Sequence, residues 1–221
     1  MATTLKHIDS IPYFGKDNLL EIAPNINFSE MIFELLSTKK PNEAELKIFE
    51  TILNLSIDHG EETPSAIKTI EAAKEGKTIS ESVSAGILQI NDTHGGAIEP
   101  AMELFYKIKK EKLDIKKVIY DYLDNDRRMP GFGHRIYDID PRAQLLFKLA
   151  RQQKISEEFI EIAEILEKTL KSAKGKPIPV NIDGAIASIL CTFGWNSNLG
   201  KAVFIIARTP GLCGQFLNNS K

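Results

Sequence analysis

Little in the chain would mark a secreted, membrane-bound or nucleic-acid-binding protein. Only two cysteines, Cys191 and Cys213, stand among 221 residues. They are too few for a disulfide framework and are not spaced with any histidine as zinc ligands are. Both read as small apolar residues, and no metal site is expected. No apolar run approaches the roughly 20 residues that span a bilayer. Met1 to Ile11 is polar and lacks the apolar core of a signal peptide. Neither sign of charge dominates. The formal net charge of −2 gives no electrostatic case for nucleic acid or an acidic membrane surface. Together these absences predict a cytoplasmic protein. Period-two alternation is almost missing too, with Ile178 to Ile182 the one candidate strand. There is no internal repeat and no low-complexity segment.

What is present is helical spacing. Charged residues make up 26% and hydrophobic residues 43%, an ordinary globular composition with enough length for a real core. Ser29 can cap a helix that places Met31, Ile32, Leu35 and Leu36 on one face. Asn42 to Asp58 repeats its apolar residues every three or four positions. Thr63-Pro64 reads as a cap followed by proline at the first helical position, with Gly76 as the stop. Further helices are predicted over Ser80–Ile90, Pro100–Lys112, Ile115–Asp124, Pro141–Gln153, Ser156–Lys171, Gly184–Phe193 and Asn198–Leu217. The expectation is all-α, with nine or ten helices. Lys171 to Pro179 is the most linker-like stretch, and Lys109 to Lys117 reads as a solvated helix end.

Three of the four histidines sit beside glycine: Asp58-His59-Gly60, His94-Gly95-Gly96 and Gly131-Phe132-Gly133-His134. Histidine titrates nearest neutral pH, and glycine beside it permits close approach and unusual backbone angles. Val180-Asn181-Ile182-Asp183-Gly184 supplies a carboxylate in a similar setting. Imidazoles and a carboxylate so placed suit acid–base chemistry at a carbon next to a carbonyl. Each residue also has a plainer reading. Asp183 can be an N-cap, or a general base whose apolar neighbours push its pKa up. His59 can sit as a cation at a helix C-terminus. His94 can be a loop residue closing a helix that ends near Asn91. Arg142 lies in Asp140-Pro141-Arg142 at a helix start. Arg208 follows an apolar run and needs an anionic partner, which an internal acid or a bound carboxylate can supply. His7 has no assigned role.

The order of these motifs resembles the citrate synthase superfamily: His94-Gly-Gly-Ala, Pro130-Gly-Phe-Gly-His134-Arg, Asp140-Pro-Arg142, Asn181-Ile-Asp183 and Ala207-Arg208-Thr-Pro-Gly. The resemblance runs from about Leu19 onward. It implies a helical homodimer with a large and a small domain, divided as residues 1–97 and 191–221 (large) and 98–190 (small). It implies that Asp183 removes a methyl proton from acetyl-CoA, and that His94 holds the thioester oxygen. His134 would donate to the oxaloacetate carbonyl. In cleavage those roles invert, so that His134 takes the hydroxyl proton. His59, Arg142 and Arg208 correspond to residues binding the carboxylates. Met129, Pro130, Gly131, Phe132 and Gly133 correspond to a loop receiving the CoA adenine. Arg127, Arg128 and Arg135 are candidates for the CoA phosphates.

The chain departs from a citrate synthase in being much shorter. Its tail, Gln215 to Lys221, carries no further arginine. The wording Asn181-Ile-Asp183-Gly184 and Ser84-Ala-Gly86-Ile-Leu is more like citryl-CoA lyases, including the lyase module of ATP citrate lyase. The resemblance therefore implies cleavage of (3S)-citryl-CoA to acetyl-CoA and oxaloacetate. No prosthetic group takes part, and the coenzyme A thioester is a substrate. A separate citryl-CoA-forming enzyme would act upstream. The alternatives are citrate or methylcitrate synthesis and a non-catalytic family subunit.

Overall fold

A computed structural model describes residues 4–91 and 95–220. It holds three short strands and eleven helices among the described residues, and the chain divides into two compact units, Met1–Glu50 and Thr51–Lys221.

The first unit opens with a β-meander that the periodicity did not announce. Strands β1 (Leu5–Ile8), β2 (Ile11–Phe14) and β3 (Asp17–Asn18) pair antiparallel in that order. Asp9 and Ser10 both take positive φ, 50° and 65°, as a two-residue hairpin turn demands. The polar arm expected at the N-terminus is therefore a sheet whose register the turn sets. The β2–β3 ladder joins Tyr13 to Asn18 and Phe14 to Asp17, so it stops short of Pro12. A one-turn helix, α1 (Leu19–Ile22), follows, and then α2 (Phe28–Ser37). The cap of α2 position is Asn27 rather than Ser29. Ser29 instead donates to Glu50 Oε1 at 2.9 Å, in the middle of α3 (Glu43–Ser56). Phe33 meets Phe49 edge-on at 5.4 Å in the core of this unit.

The second unit is helical. Its elements are α4 (Pro64–Lys74), α5 (Ile79–Ile87), α6 (Ile98–Glu111), α7 (Ile115–Asp124), α8 (Pro141–Gln152), α9 (Glu158–Lys174), α10 (Ile182–Thr192) and α11 (Leu199–Asn219). Helix α4 starts as its sequence says, with the Thr63 hydroxyl accepting from Ala66 N and Pro64 in the first turn. Thr78 and Glu81 form a reciprocal capping box on α5. The α4–α5 hairpin packs so closely that a Cβ on Gly86 would stand 2.1 Å from Thr69 Oγ1.

Helix α10 is the buried axis, packed by α6, α8 and α9. Ile186, Ile189 and Leu190 have no exposed surface, and burying each such side chain contributes about 1.5–3 kcal/mol. The strand expected at Ile178 to Ile182 is only a single bridge between Phe132 and Val180, and Ile182 already begins α10. The expected linker is partly helix, because α9 runs to Lys174 before Gly175 caps it in the left-handed region. Cys191 is buried as expected, whereas Cys213 is partly exposed. No described helix is long and apolar enough to cross a membrane.

Candidate active site

The site is built from helix starts and the loop between α7 and α8. At its centre is Asp140, a fully buried carboxylate. It caps α8 by accepting from Arg142 N at 3.0 Å. It also takes two bonds from the Arg142 side chain, Nε at 3.0 Å and Nη2 at 2.8 Å. The same carboxylate accepts from Ile182 N at 3.0 Å, one residue before Asp183. One side chain thus fixes a guanidinium and ties the starts of α8 and α10 together. Burial works to raise the Asp140 carboxyl, but the bonds and charge of Arg142 outweigh it and hold it below the ordinary carboxylate value.

Arg142 reaches both histidines. Its Nη1 lies 3.4 Å from His59 Nδ1 and its Nη2 lies 3.3 Å from His134 Nε2. The two rings meet edge-on, centroids 6.1 Å apart. His59 stands three residues beyond the end of α3. Burial first, then the Arg142 and Arg208 charges, lowers its pKa. That direction opposes the helix-end cation suggested for it. His134 is lowered too, by burial first and then by Arg142 and Arg135 against the opposing pull of Asp140. Both shifts favour the neutral ring. The Ile136 and Tyr137 amides donate to His134 Nδ1 at 3.1 and 3.3 Å. A neutral ring that accepts at Nδ1 carries its proton on Nε2. His134 Nε2–H and Arg142 Nη2 are then two donors side by side, which an oxygen atom can satisfy together. In this tautomer Nε2 is a donor to an oxygen, so taking the hydroxyl proton there would need the ring proton to move first.

The loop before His134 is stitched to the start of α10. Asn181 N donates to Gly131 O at 3.1 Å, and Gly133 N donates to Pro179 O at 2.7 Å. Asn181 Nδ2 donates to Gly133 O at 3.0 Å, while its Oδ1 accepts from Gly184 N at 3.1 Å and caps the helix. Val180 N is taken by Glu167 Oε1 on α9. Gly131 and Gly133 need their positive φ of 81° and 89°. A Cβ on Gly184 would stand 2.3 Å from Gly131 O, so Gly131 and Gly184 leave no room for each other's side chains. Of the residues expected to receive CoA, Met129 and Gly131 are buried, Pro130, Phe132 and Gly133 are half-buried, and Arg135 is exposed.

Because Asn181 is the cap, Asp183 is not. It lies in the first turn of α10. Burial pushes its carboxyl up to about 6, against the downward pull of Arg142 and Arg208. A carboxyl titrating there can both give and take a proton near neutral pH. Arg208, 3% exposed, donates from Nε to Ser56 O at 2.8 Å and lies 4.7 Å from the Phe204 ring centre. Among the described residues its buried Nη1 has no partner, nor do Ser56 Oγ, Asp58 Oδ1 and Gln215 Oε1. Burial lowers its pKa, opposed by Asp58 and Asp183. His94 lies outside the described residues. Next to it, Gly95 has φ +70°, and the Phe204 ring occupies the space its Cβ would need.

Sequence patterns indicated the histidines, Arg142, Asp183 and Arg208. They assigned no site role to Asp140, Asn181 and Tyr137. The clue for Asp140 was present, since an acid two residues before an arginine at a helix start can cap and pair at once. No periodicity encodes the reach of Asn181 to a loop 48 residues away.

A helical scaffold holding a raised carboxyl, two imidazoles shifted toward the neutral form and two low-exposure arginines is equipped for acid–base chemistry on an oxygen-rich anion. Residues 4–221 match the family described as "Citrate synthase, C-terminal domain". This chain belongs to the citrate synthase family. The citryl-CoA lyase of Hydrogenobacter thermophilus superposes with a TM-score of 0.92 at 34% identity, over 99% of this chain and 86% of that one. The citrate synthase of Thermoplasma acidophilum gives 0.74 at 25% identity, over 88% and 53%. Among curated relatives, ATP-citrate synthase beta chain protein 2 of Arabidopsis thaliana is 30% identical over 79% of this chain and 31% of its own length. The chain spans about a third of the length of that relative and of a Dictyostelium discoideum counterpart.

Proposed function

We propose that this chain cleaves (3S)-citryl-CoA to acetyl-CoA and oxaloacetate. The observation that carries the reading is the likeness to a citryl-CoA lyase over 99% of this chain and 86% of that one. The citrate synthase neighbour is matched over only about half its length. The site chemistry agrees. His134 Nε2–H and Arg142 would hold the C3 oxygen as it becomes a carbonyl, while the hydroxyl proton passes to a water. His59 and Arg208 would bind carboxylates, and His94 the thioester oxygen. Asp183 would protonate the enol of acetyl-CoA on carbon, a transfer suited to a carboxyl titrating near 6. The loop from Met129 to Gly133, with Arg135, would receive CoA. A small domain over residues 98–190 would close on the remainder and dry the site, as a hinge movement does. The homodimer and an upstream enzyme that makes citryl-CoA belong to the same proposal.

The test is a paired assay on purified protein. One arm measures acetyl-CoA formed from citryl-CoA. The other measures free thiol released from acetyl-CoA plus oxaloacetate. Fast cleavage with little net citrate synthesis is the expected result. Efficient thiol release with citrate as product would make the chain a synthase and overturn the proposal. Asp183→Asn serves as the control and should lower cleavage by about a hundred- to ten-thousandfold. A biological role left untouched by that substitution would point to a non-catalytic subunit.

A further inference from the structure

We propose that Tyr137 is a positioning residue that sets both the orientation and the tautomer of His134. The Tyr137 ring stacks on the His134 ring, centroids 4.5 Å apart and planes 29° from parallel. The backbone amide of the same residue donates to Nδ1 at 3.3 Å, beside the Ile136 amide at 3.1 Å. One residue thus covers a face of the imidazole and occupies its inner nitrogen. With Nδ1 engaged, the proton sits on Nε2, the nitrogen 3.3 Å from Arg142 Nη2. Rotating the ring would trade two amide bonds for none and lift it off the tyrosine. The charged and titratable groups acting on His134 are Arg142, Asp140 and Arg135, with His59 edge-on to it. None of them bonds to Nδ1 among the contacts of the described residues, so the tautomer follows from the turn over residues 135–137. The phenol hydroxyl plays no part in this arrangement. Phenylalanine should therefore replace Tyr137 without loss, whereas an aliphatic side chain should not.

The enzymatic consequence rests on the citryl-CoA reading, but the structural one does not. The experiment compares wild type, Tyr137→Phe and Tyr137→Leu, each labelled with 15N-histidine. The first readout is the NMR tautomer of His134 without substrate, assigned by its loss in His134→Asn. The second is kcat and KM for citryl-CoA cleavage. We expect the Nε2–H pattern in wild type and in the Phe variant, and a mixture of tautomers in the Leu variant. The Leu variant should lose about tenfold in kcat, within the range of a mis-set acid–base group, with KM changed less than twofold. The Phe variant should keep wild-type kcat. A Leu variant that is folded, retains a pure Nε2–H ring and keeps wild-type kcat would overturn the proposal. So would a Phe variant as impaired as the Leu variant. If wild type lacks lyase activity, the functional reading fails and the NMR comparison alone decides the role of Tyr137.

Discussion

Two arginines in sheltered surroundings, Arg142 at the start of α8 and Arg208 in the body of α11, are held in opposite ways. The Arg142 side chain keeps 18% of its surface and has its own buried carboxylate, Asp140, bonded at two points. Arg208 keeps 3% and has a backbone carbonyl, an aromatic ring and an Nη1 without a partner among the described residues. The first is assembled before any ligand arrives. The second is more deeply buried and less satisfied, so an incoming anion has most to gain there.

The comparison breaks most severely at Asp140. Asp140→Ala strips the partner from a low-exposure guanidinium and should cost about 3–5 kcal/mol of stability. Denaturant unfolding would show it, and cleavage activity should fall with it. A loss below 1 kcal/mol would mean that Arg142 is held by other contacts.

Asp183 lies in the field of both arginines and tests them together. Its folded pKa, about 6, exceeds the ordinary 3.8. The folded state therefore binds more protons than the unfolded state between those values, and stability falls as pH rises through that window. The two-unit difference corresponds to about 3 kcal/mol, fully felt above pH 6. Asp183→Asn should thus raise Tm at pH 8 and lose that advantage at pH 4 while destroying activity. A Tm difference that does not vary with pH would contradict the raised carboxyl.

Arg208→Lys sharpens the contrast. Lysine lacks the planar fork, so KM for citryl-CoA should rise about tenfold, roughly 1.4 kcal/mol. An unchanged KM would show that Nη1 meets no ligand. The smallest effect is expected at Gln215. Its Nε2 donates to Asp58 Oδ2 at 3.1 Å, and that oxygen also accepts from Gly60 N at 3.3 Å. Gln215→Ala should cost about 1 kcal/mol, read from the shift in the denaturant midpoint.

Much of the helical frame was legible because amphipathic spacing and caps are local signals. Thr63-Pro64 and the run from Ile115 to Asp124 show this well, since the latter matches α7 from end to end. The sheet at the N-terminus was not legible. Its strands carry one buried side chain, Phe14, so there was no alternation to read, and two positive-φ residues rather than a hydrophobic pattern fix its register. The site divided in the same way. His134, Arg142 and Asp183 stand in recognisable motifs. Which nitrogen of His134 bears the proton, and which residue caps α10, depend on contacts made only after folding. Asp183 had two readings from sequence, and the bond from Gly184 N to Asn181 Oδ1 decided between them.

Asn181 links two motions that would otherwise be independent. Its side chain closes α10 at one end and grips the Gly133 carbonyl at the other, while its own amide is taken by Gly131. The loop cannot swing away without unfastening the first turn of the helix that carries Asp183. In deuterated solvent, the amides of Gly133, Asn181 and Gly184 should therefore exchange at one common rate, as a single opening event.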